Sequence, residues 1–147
     1  HKYVNGKKRI GEFRKGKPWN VKGYDKNGDI ENEWVNGKKI KIQSKKHFIN
    51  CQPAEGCGFL AERGGNEFFY PCKNIASHIE EEITFAVDPL DYAACEDSGA
   101  DILAIIHSHV EGNADPSEAD IKNCKLYMTD WYIYSIQDDN WCFLESD

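Results

Sequence analysis

The hydrophobic pattern of the chain centres on residues 102–106, Ile-Leu-Ala-Ile-Ile, which form its longest unbroken run of apolar side chains. The run is short, rich in β-branched residues and free of polar alternation, which is typical of a buried strand rather than a helix. His107 and His109 follow it closely. Because side chains two positions apart project from the same face of a strand, both imidazoles are predicted to point into one cleft.

Shorter apolar segments on either side predict the remaining elements around this strand. Strands are predicted at residues 56–62, 66–70, 85–87, 131–136 and 141–144. Helices are predicted at residues 40–51, 88–96 and 117–128. The last helix is expected to turn Ile121, Cys124 and Met128 inward, because these residues recur at helical spacing. The predicted fold class is α/β (α+β), with a mixed central β-sheet flanked by helices.

Residues 1–39 carry a different pattern, in which an aromatic residue shortly precedes a glycine four times. The pairs are Tyr3 and Gly6, Phe13 and Gly16, Tyr24 and Gly28, and Trp34 and Gly37. Three of the four glycines follow an asparagine, and Asn-Gly is a strong signal for a β-hairpin turn. The segment resembles MORN-type repeats, small stacked β-hairpin units, of which about two are present. We therefore predict a first domain of residues 1–39, which leans on a second domain of residues 40–147 or on another subunit.

The formal net charge of −7 conceals a strong asymmetry along the chain. Residues 1–50 contain 14 Lys and Arg against 5 Asp and Glu, whereas the remainder contains 4 against 20. The basic segment is therefore expected to dock on the acidic one or on a third partner. Its basic residues beside Phe13 and Trp19 leave a nucleic-acid patch as an alternative. Basic hairpin surfaces are common in solvent, however, and nucleic acid is not the expected partner.

Targeting signals and cysteine spacing narrow the class of protein further. No apolar run approaches the ~20 residues that cross a bilayer, and no charged-then-apolar leader is present. A cytoplasmic protein without membrane attachment is expected. The six cysteines form no Cys-x-x-Cys pair and are expected to be reduced and mostly buried. Cys57 begins a strand predicted to be buried, which makes it a poor catalytic nucleophile.

The two histidines after the central strand belong to a candidate metal site. Asp120 is the third candidate ligand, because residues 115–120 have the composition of a helix start. Two imidazoles and one carboxylate with a fourth position open form the ligand pattern of a catalytic zinc ion. Ser117 and Asp120 also match the Ser-x-x-Asp capping box, in which the serine caps the helix and the acid reaches back. Spacing alone leaves both interpretations open.

The order and spacing of these residues resemble the signature of the JAMM (MPN+, Mov34/PAD-1) metalloproteases. In this chain the signature comprises an upstream Glu55, then His107-Ser108-His109, then Ser117 and Asp120. The resemblance covers residues 40–145. It implies zinc bound by His107, His109 and Asp120. It also implies Glu55 as the general base and Ser117 as a hydrogen-bond donor to the oxyanion.

The function implied by the resemblance is a zinc metallopeptidase that hydrolyses a peptide or isopeptide bond in a protein or peptide substrate. Two branches fit, the deubiquitinase-like enzymes of ubiquitin-like conjugates and the K-type tail-assembly proteins of long-tailed phages. Residues 116–121 and 130–133 favour the phage branch, which implies a location in the host cytoplasm or virion tail. The chain departs from the phage branch in three ways. It carries the basic segment, it is expected to lack that branch's peptidoglycan-cleaving domain, and it has Val110 where many members have proline. The alternative is a catalytically silent MPN-type scaffold or tail-assembly module.

Overall fold

The structure is a computed structural model that describes residues 2–4, 6–41, 43–76 and 86–146 of the 147-residue chain. The chain divides into two compact units, residues 1–43 and residues 44–147. The first unit is built from β-strands, and the second combines a β-sheet with helices. The proposed domain boundary after Lys39 stays a prediction.

The first unit is a β-meander in which each strand pairs antiparallel with the next along the chain. Its strands are β1 (Lys2–Val4), β2 (Lys7–Arg14), β3 (Lys17–Tyr24), β4 (Ile30–Val35) and β5 (Lys38–Lys41). The turn Asn36-Gly37 has φ of 48° and 80°, and both values are positive, as a type I′ hairpin turn requires. The predicted hairpins are confirmed, and they join into one continuous sheet instead of standing as a separate pair.

The second unit contains a mixed sheet with the strand order β10-β9-β8-β6-β7. Its strands are β6 (Cys57–Arg63), β7 (Asn66–Cys72), β8 (Asp101–His109), β9 (Asp130–Ser135) and β10 (Asn140–Leu144). Strand β8 lies between β6, to which it is antiparallel, and β9, to which it is parallel. The parallel pair requires a crossover, and the chain between β8 and β9 supplies it with a helix. The predicted mixed sheet is confirmed.

In the described part of the second unit, helices α1 (Gln43–Cys51), α2 (Pro89–Asp97) and α3 (Glu118–Tyr127) accompany this sheet. Helix α2 begins as predicted, since the Asp88 side chain accepts a hydrogen bond of 2.9 Å from the Leu90 amide and Pro89 occupies the first turn. Among the described residues, no helix has the length and apolar character that crossing a membrane demands.

The apolar run that organises the sequence becomes the central strand of the sheet. Ala104, Ile105 and Ile106 on β8 are all buried, and the core beside them includes Phe59 and Trp131. A strand with neighbours on both edges and side chains packed on both faces needs apolar residues at successive positions, which explains the absence of alternation. Four of the six cysteines are buried in this unit, namely Cys57, Cys72, Cys95 and Cys124, as expected.

Two predicted elements need correction at their ends. Residues Lys38–Lys41 form strand β5, so helix α1 begins at Gln43 and not at Ile40. In β5 the main chain at Lys41 pairs with Asn32 of β4, and a ladder of such long-range bonds overrides the local helical pattern. Of the strand predicted at residues 85–87, Phe85 lies outside the described residues, and Val87 forms only an isolated bridge with Asn74.

The predicted inner face of α3 is also wrong in part. Cys124 is fully buried, but Ile121 is 38% exposed and Met128 is 80% exposed. The buried positions are instead Asp120 and Cys124, one helical turn apart. A carboxylate thus takes the buried position that the apolar periodicity assigned to Ile121, because the first turn of the helix faces polar side chains of the sheet.

We predict that residues 40–147, produced without the first 39 residues, fold independently. The second unit has its own hydrophobic core, and all strands of its sheet come from the unit itself. Thermal unfolding followed by circular dichroism should show one cooperative transition for the shortened chain, close to that of the same unit in the full chain. Loss of the cooperative transition would show that residues 1–39 belong to the folding unit.

Candidate metal centre

The C-terminal end of β8 brings His107 and His109 together, as the alternation along the strand predicts. Their ring centroids lie 5.2 Å apart. His107 is completely buried, and its ring packs edge-on against Trp131 at a centroid distance of 5.3 Å. His109 is partly exposed at the strand end. One imidazole therefore forms the floor of the site while the other lies at its mouth.

Asp120 reaches both histidines from the first turn of α3. Its Oδ1 lies 3.3 Å from His107 Nε2, and its Oδ2 lies 3.1 Å from His109 Nε2. One possible ligand atom from each of the three residues falls within 4.8 Å of the others. The structure thus brings together the three residues that sequence spacing selected from two separate elements.

The start of α3 explains why the Asp120 carboxylate points this way. The Ser117 Oγ accepts a hydrogen bond of 3.1 Å from the Asp120 amide, and Asp120 Oδ2 accepts one of 2.9 Å from the Ser117 amide. This reciprocal pair is the predicted capping box. It coexists with the histidine contacts, because a carboxylate has lone pairs for several donors. The structural interpretation and the metal-site interpretation of Asp120 are therefore compatible.

Glu55 lies on the other side of His107, just before β6 begins. Its Oε2 is 3.8 Å from His107 Nδ1. That oxygen is buried and makes no hydrogen bond to the residues that the structure describes. A buried carboxylate oxygen without such a hydrogen bond can accept a proton, or a hydrogen bond from water, next to the two histidines.

Burial and neighbouring charges shift the pKa values of His107, His109 and Asp120. Burial opposes a positive charge on His107, but the neighbouring carboxylates of Asp120 and Glu55 outweigh it and raise the pKa of His107. The hydrogen bond with Asp120 raises the pKa of His109 against the effect of burial. Burial likewise opposes the Asp120 carboxylate, yet both histidines hold its pKa well below the usual range. A positive charge between the carboxylates of Asp120 and Glu55 is therefore stabilised.

The donor set fits a zinc ion. His109 Nδ1 lies 3.0 Å from the Asn113 carbonyl oxygen and must donate to it, which leaves the Nε2 lone pair facing Asp120 Oδ2 in the neutral ring. Two acceptors face each other stably only when a proton or a cation lies between them. Zinc bonds of about 2.0–2.1 Å at tetrahedral angles separate ligand atoms by about 3.3 Å, close to the contacts of Asp120 with both rings. The arrangement is therefore able to hold zinc.

Two side chains to which the sequence pattern assigned no role contact the main chain around Glu55. Ser108 lies between the histidines, and its Oγ accepts from the Gly56 amide at 2.8 Å. Asn74 donates from Nδ2 to the Glu55 carbonyl oxygen at 2.8 Å. Alternation along β8 is the only signal for Ser108, since it must project opposite the histidines. No local signal points to Asn74, because its contact joins residues 19 positions apart.

Cys57 is confirmed as a poor nucleophile. Its side chain is fully buried in the core, and burial raises the pKa of the thiol to about 12. A thiol with such a pKa remains protonated at neutral pH and is inert toward a carbonyl carbon.

Comparison with known protein families agrees with this geometry. Residues 43–144 match the family described as prokaryotic homologs of the JAB domain. The chain belongs to this family. The matched range contains all five residues of the candidate site, and the resemblance to JAMM and MPN-type domains is confirmed at the level of the family and its mixed α+β fold.

Two curated relatives match part of the chain. The tail tip assembly protein K of Escherichia phage N15 is 39% identical over 83 residues, which are 56% of this chain and 33% of that protein. A protein of Thermus thermophilus described as a "probable TtuB-protein conjugate cleaving protease" is 34% identical over 87 residues, 56% of this chain and 57% of that protein. Thus the chain spans between a third and just over half the length of these relatives.

A solved structure from Desulfitobacterium hafniense is 24% identical, with a TM-score of 0.49, and the match covers 68% of this chain and 82% of that one.

We predict that Ser117→Ala lowers the free energy of unfolding of the metal-free protein by about 1 kcal/mol, because the Asp120 amide loses its acceptor at the helix start. Asp88→Ala is the matched control, since Asp88 caps α2 with one equivalent bond. Urea denaturation should give both variants a similar loss. A loss at Asp88 with none at Ser117 would contradict the capping role of Ser117.

Proposed function

We propose that the second unit is a zinc-dependent peptidase or isopeptidase. The observation that carries this proposal is the convergence of His107, His109 and Asp120 within 4.8 Å, beside a buried oxygen of Glu55 that makes no hydrogen bond to the described residues. Membership of the JAB-domain family and a relative described as a "probable TtuB-protein conjugate cleaving protease" support the same chemistry.

In this proposal His107, His109 and Asp120 would hold zinc. A zinc ion bound there would supply Lewis acidity, which lowers the pKa of water from near 16 toward ~7 and polarises a substrate carbonyl. The Asn113 carbonyl fixes the ring of His109 by accepting from Nδ1, which presents the Nε2 lone pair to the site. The Trp131 ring fixes His107 by packing against it.

Glu55 is the proposed general base. Its Oε2, which makes no hydrogen bond to the described residues, would accept a proton from the attacking water and later deliver that proton to the leaving amine. The side chain is 16% exposed, so it is screened from bulk solvent yet remains open on one side. A partly buried carboxylate beside the reacting water is suited to exchange its proton with substrate rather than with solvent.

Ser117 is the proposed donor to the oxyanion. Its Oγ already accepts from the Asp120 amide, so the hydroxyl proton is available to an oxygen outside the helix. In sites of comparable design, one such donor contributes roughly 3 kcal/mol to transition-state stabilisation. Ser117 thereby serves the helix with its lone pair and the reaction with its proton.

The proposed substrate is a protein or peptide. The relatives are named for protein-conjugate cleavage and for tail tip assembly, which supports either an isopeptide linkage or a phage tail polypeptide as the target. We infer a location in the host cytoplasm or in the virion tail. The chain resembles the phage relative at 39% identity, which favours the tail. We do not propose nucleic acid as a partner. Residues 1–39 resemble MORN-type repeats, and no function is proposed from that resemblance.

The second candidate function is a catalytically silent scaffold or tail-assembly module. The observation that favours it is the name of the phage relative, which describes assembly and no reaction. The two functions differ in their dependence on Glu55, because a scaffold needs the fold and not a proton carrier.

We predict that the purified protein binds about one zinc ion per chain and that His107→Ala and Asp120→Ala lose it, since each removes one of three protein ligands. His47→Ala is the control, because His47 contacts the Cys57 carbonyl oxygen but lies outside the three-residue group. Metal content measured by mass spectrometry should fall in the first two variants and persist in the third. Full occupancy in all three would disprove the ligand assignment.

We predict that Glu55→Gln retains zinc but slows hydrolysis by at least a hundredfold, because only the proton acceptor is lost. The assay follows cleavage of lysine-linked ubiquitin-like conjugates and of quenched fluorescent peptides. Equal rates for the variant and the wild type would remove Glu55 from the mechanism. If the wild type binds zinc and cleaves neither substrate class, the scaffold function is favoured.

A further inference from the structure

Ser108 lies at the point where the histidine strand meets the segment that carries Glu55. It is completely buried between His107 and His109 on β8. Because side chains alternate along a strand, its hydroxyl projects from the face opposite to the two imidazoles. Ser108 is therefore no candidate ligand, and its burial requires another explanation.

The hydrogen bonds of Ser108 supply that explanation. Its Oγ accepts from the Gly56 amide at 2.8 Å, and its own amide donates to the Gly56 carbonyl oxygen at 3.0 Å. Both polar main-chain groups of Gly56 thus bind one residue of the histidine strand. These bonds continue the β6–β8 pairing, whose last residue pair is Cys57 with His107, by one more position. They fix the main chain next to Glu55 relative to both histidines.

Asn74 fixes the other side of the same peptide segment. Its Nδ2 donates to the Glu55 carbonyl oxygen at 2.8 Å. Its Oδ1 accepts from the Ala76 amide at 2.9 Å and from the Ala86 amide at 3.0 Å. An amide side chain with both ends bonded to main-chain groups has little freedom to rotate. The Glu55 carbonyl oxygen is consequently hydrogen-bonded to the rigidly held Asn74 side chain rather than to solvent.

Close packing at Gly56 adds a third constraint. A Cβ at this position would lie 2.6 Å from the Phe48 ring, which is itself fully buried. Gly56 is therefore pressed against α1 and has no space to shift on that side. Its neighbour Glu55 is attached to a main chain that is bonded on two sides and packed on another.

Glu55 itself contrasts with this rigid attachment. Its Oε2 makes no hydrogen bond to the described residues and lies 3.8 Å from His107 Nδ1. Within the part of the chain that the structure describes, the carboxylate is thus placed by its main chain and not by a hydrogen-bond partner of that oxygen. An acid or base that exchanges protons benefits from this arrangement, because a strong fixed partner would compete with the substrate for its lone pairs.

We propose that Ser108 and Asn74 are positioning residues that hold the Glu55 main chain and thereby set the distance of its carboxylate from the His107–His109 pair. This inference rests on the proposed function of Glu55 as the proton acceptor of a zinc site. Neither residue touches the reacting atoms; each acts through Glu55.

The test uses the full chain loaded with zinc and benzohydroxamic acid as the probe. A hydroxamic acid chelates zinc and transfers a proton to a neighbouring base, so its affinity reports whether Glu55 is in place without needing a known substrate. Titration calorimetry should show binding weakened at least tenfold by Glu55→Gln. We expect Ser108→Ala and Asn74→Ala each to weaken it three- to tenfold with zinc content unchanged.

A double-mutant comparison separates positioning from general damage. In the Glu55→Gln background, Ser108→Ala and Asn74→Ala should cause no further loss of affinity, because the group through which they act is already gone. Ser108→Thr retains an acceptor oxygen and should restore affinity. Ser98→Ala is the matched control, since Ser98 Oγ donates to the Cys95 carbonyl at the opposite end of β8 and should leave affinity unchanged.

Hydrogen exchange of the Gly56 amide gives a readout that is independent of zinc. Its exchange should accelerate at least tenfold in Ser108→Ala, because the amide loses its acceptor, and stay slow in Ser108→Thr.

Each outcome decides the matter. Unchanged affinity in both single variants overturns the positioning role and leaves the proposed function intact, and so does an equal loss in the Glu55→Gln background. A wild-type protein that binds no zinc overturns the proposed function, and the positioning role falls with it.

Discussion

The alternation of side chains along β8 organises the second unit. The strand is buried between two neighbours, and its last three residues send two imidazoles to one face and a hydroxyl to the other. The imidazoles belong to the candidate metal centre, and the hydroxyl accepts a hydrogen bond from the main chain beside Glu55. A shift of the strand by one residue would exchange these roles and dismantle both arrangements.

The position of Asp120 shows how a local folding rule can serve a site. A carboxylate at the third position of a helix is favoured by the exposed amides of the first turn and by the helix dipole. Here the same carboxylate also spans His107 and His109, so formation of α3 orients the third candidate ligand before any metal binds. Part of the ordering that metal binding would otherwise require is therefore already present in the folded chain.

Glu55 and the candidate ligands are held by different means. The histidines and Asp120 contact one another and additional fixed groups, among them the Asn113 carbonyl and the Trp131 ring. Glu55 is instead fixed through the peptide groups on its C-terminal side, and its carboxylate retains an oxygen without a hydrogen bond to the described residues. A metal ligand benefits from a lone pair held in one direction, whereas a proton carrier needs a lone pair that is open to the substrate. The two kinds of support suit the roles proposed for these residues.

The central strand, the paired histidines, the capped helix and the hairpins could all be predicted from the sequence, because each follows from spacing along a single element. An unbroken apolar run, the H-x-H alternation, Ser-x-x-Asp and Asn-Gly all express geometry within a few residues. Three features could be seen only in the folded chain: Lys38–Lys41 pairs as a strand, Asp120 replaces Ile121 on the buried side of α3, and Asn74 bonds to Glu55. These outcomes depend on partners that lie far away along the chain, so their energies are set by contacts that no local pattern contains.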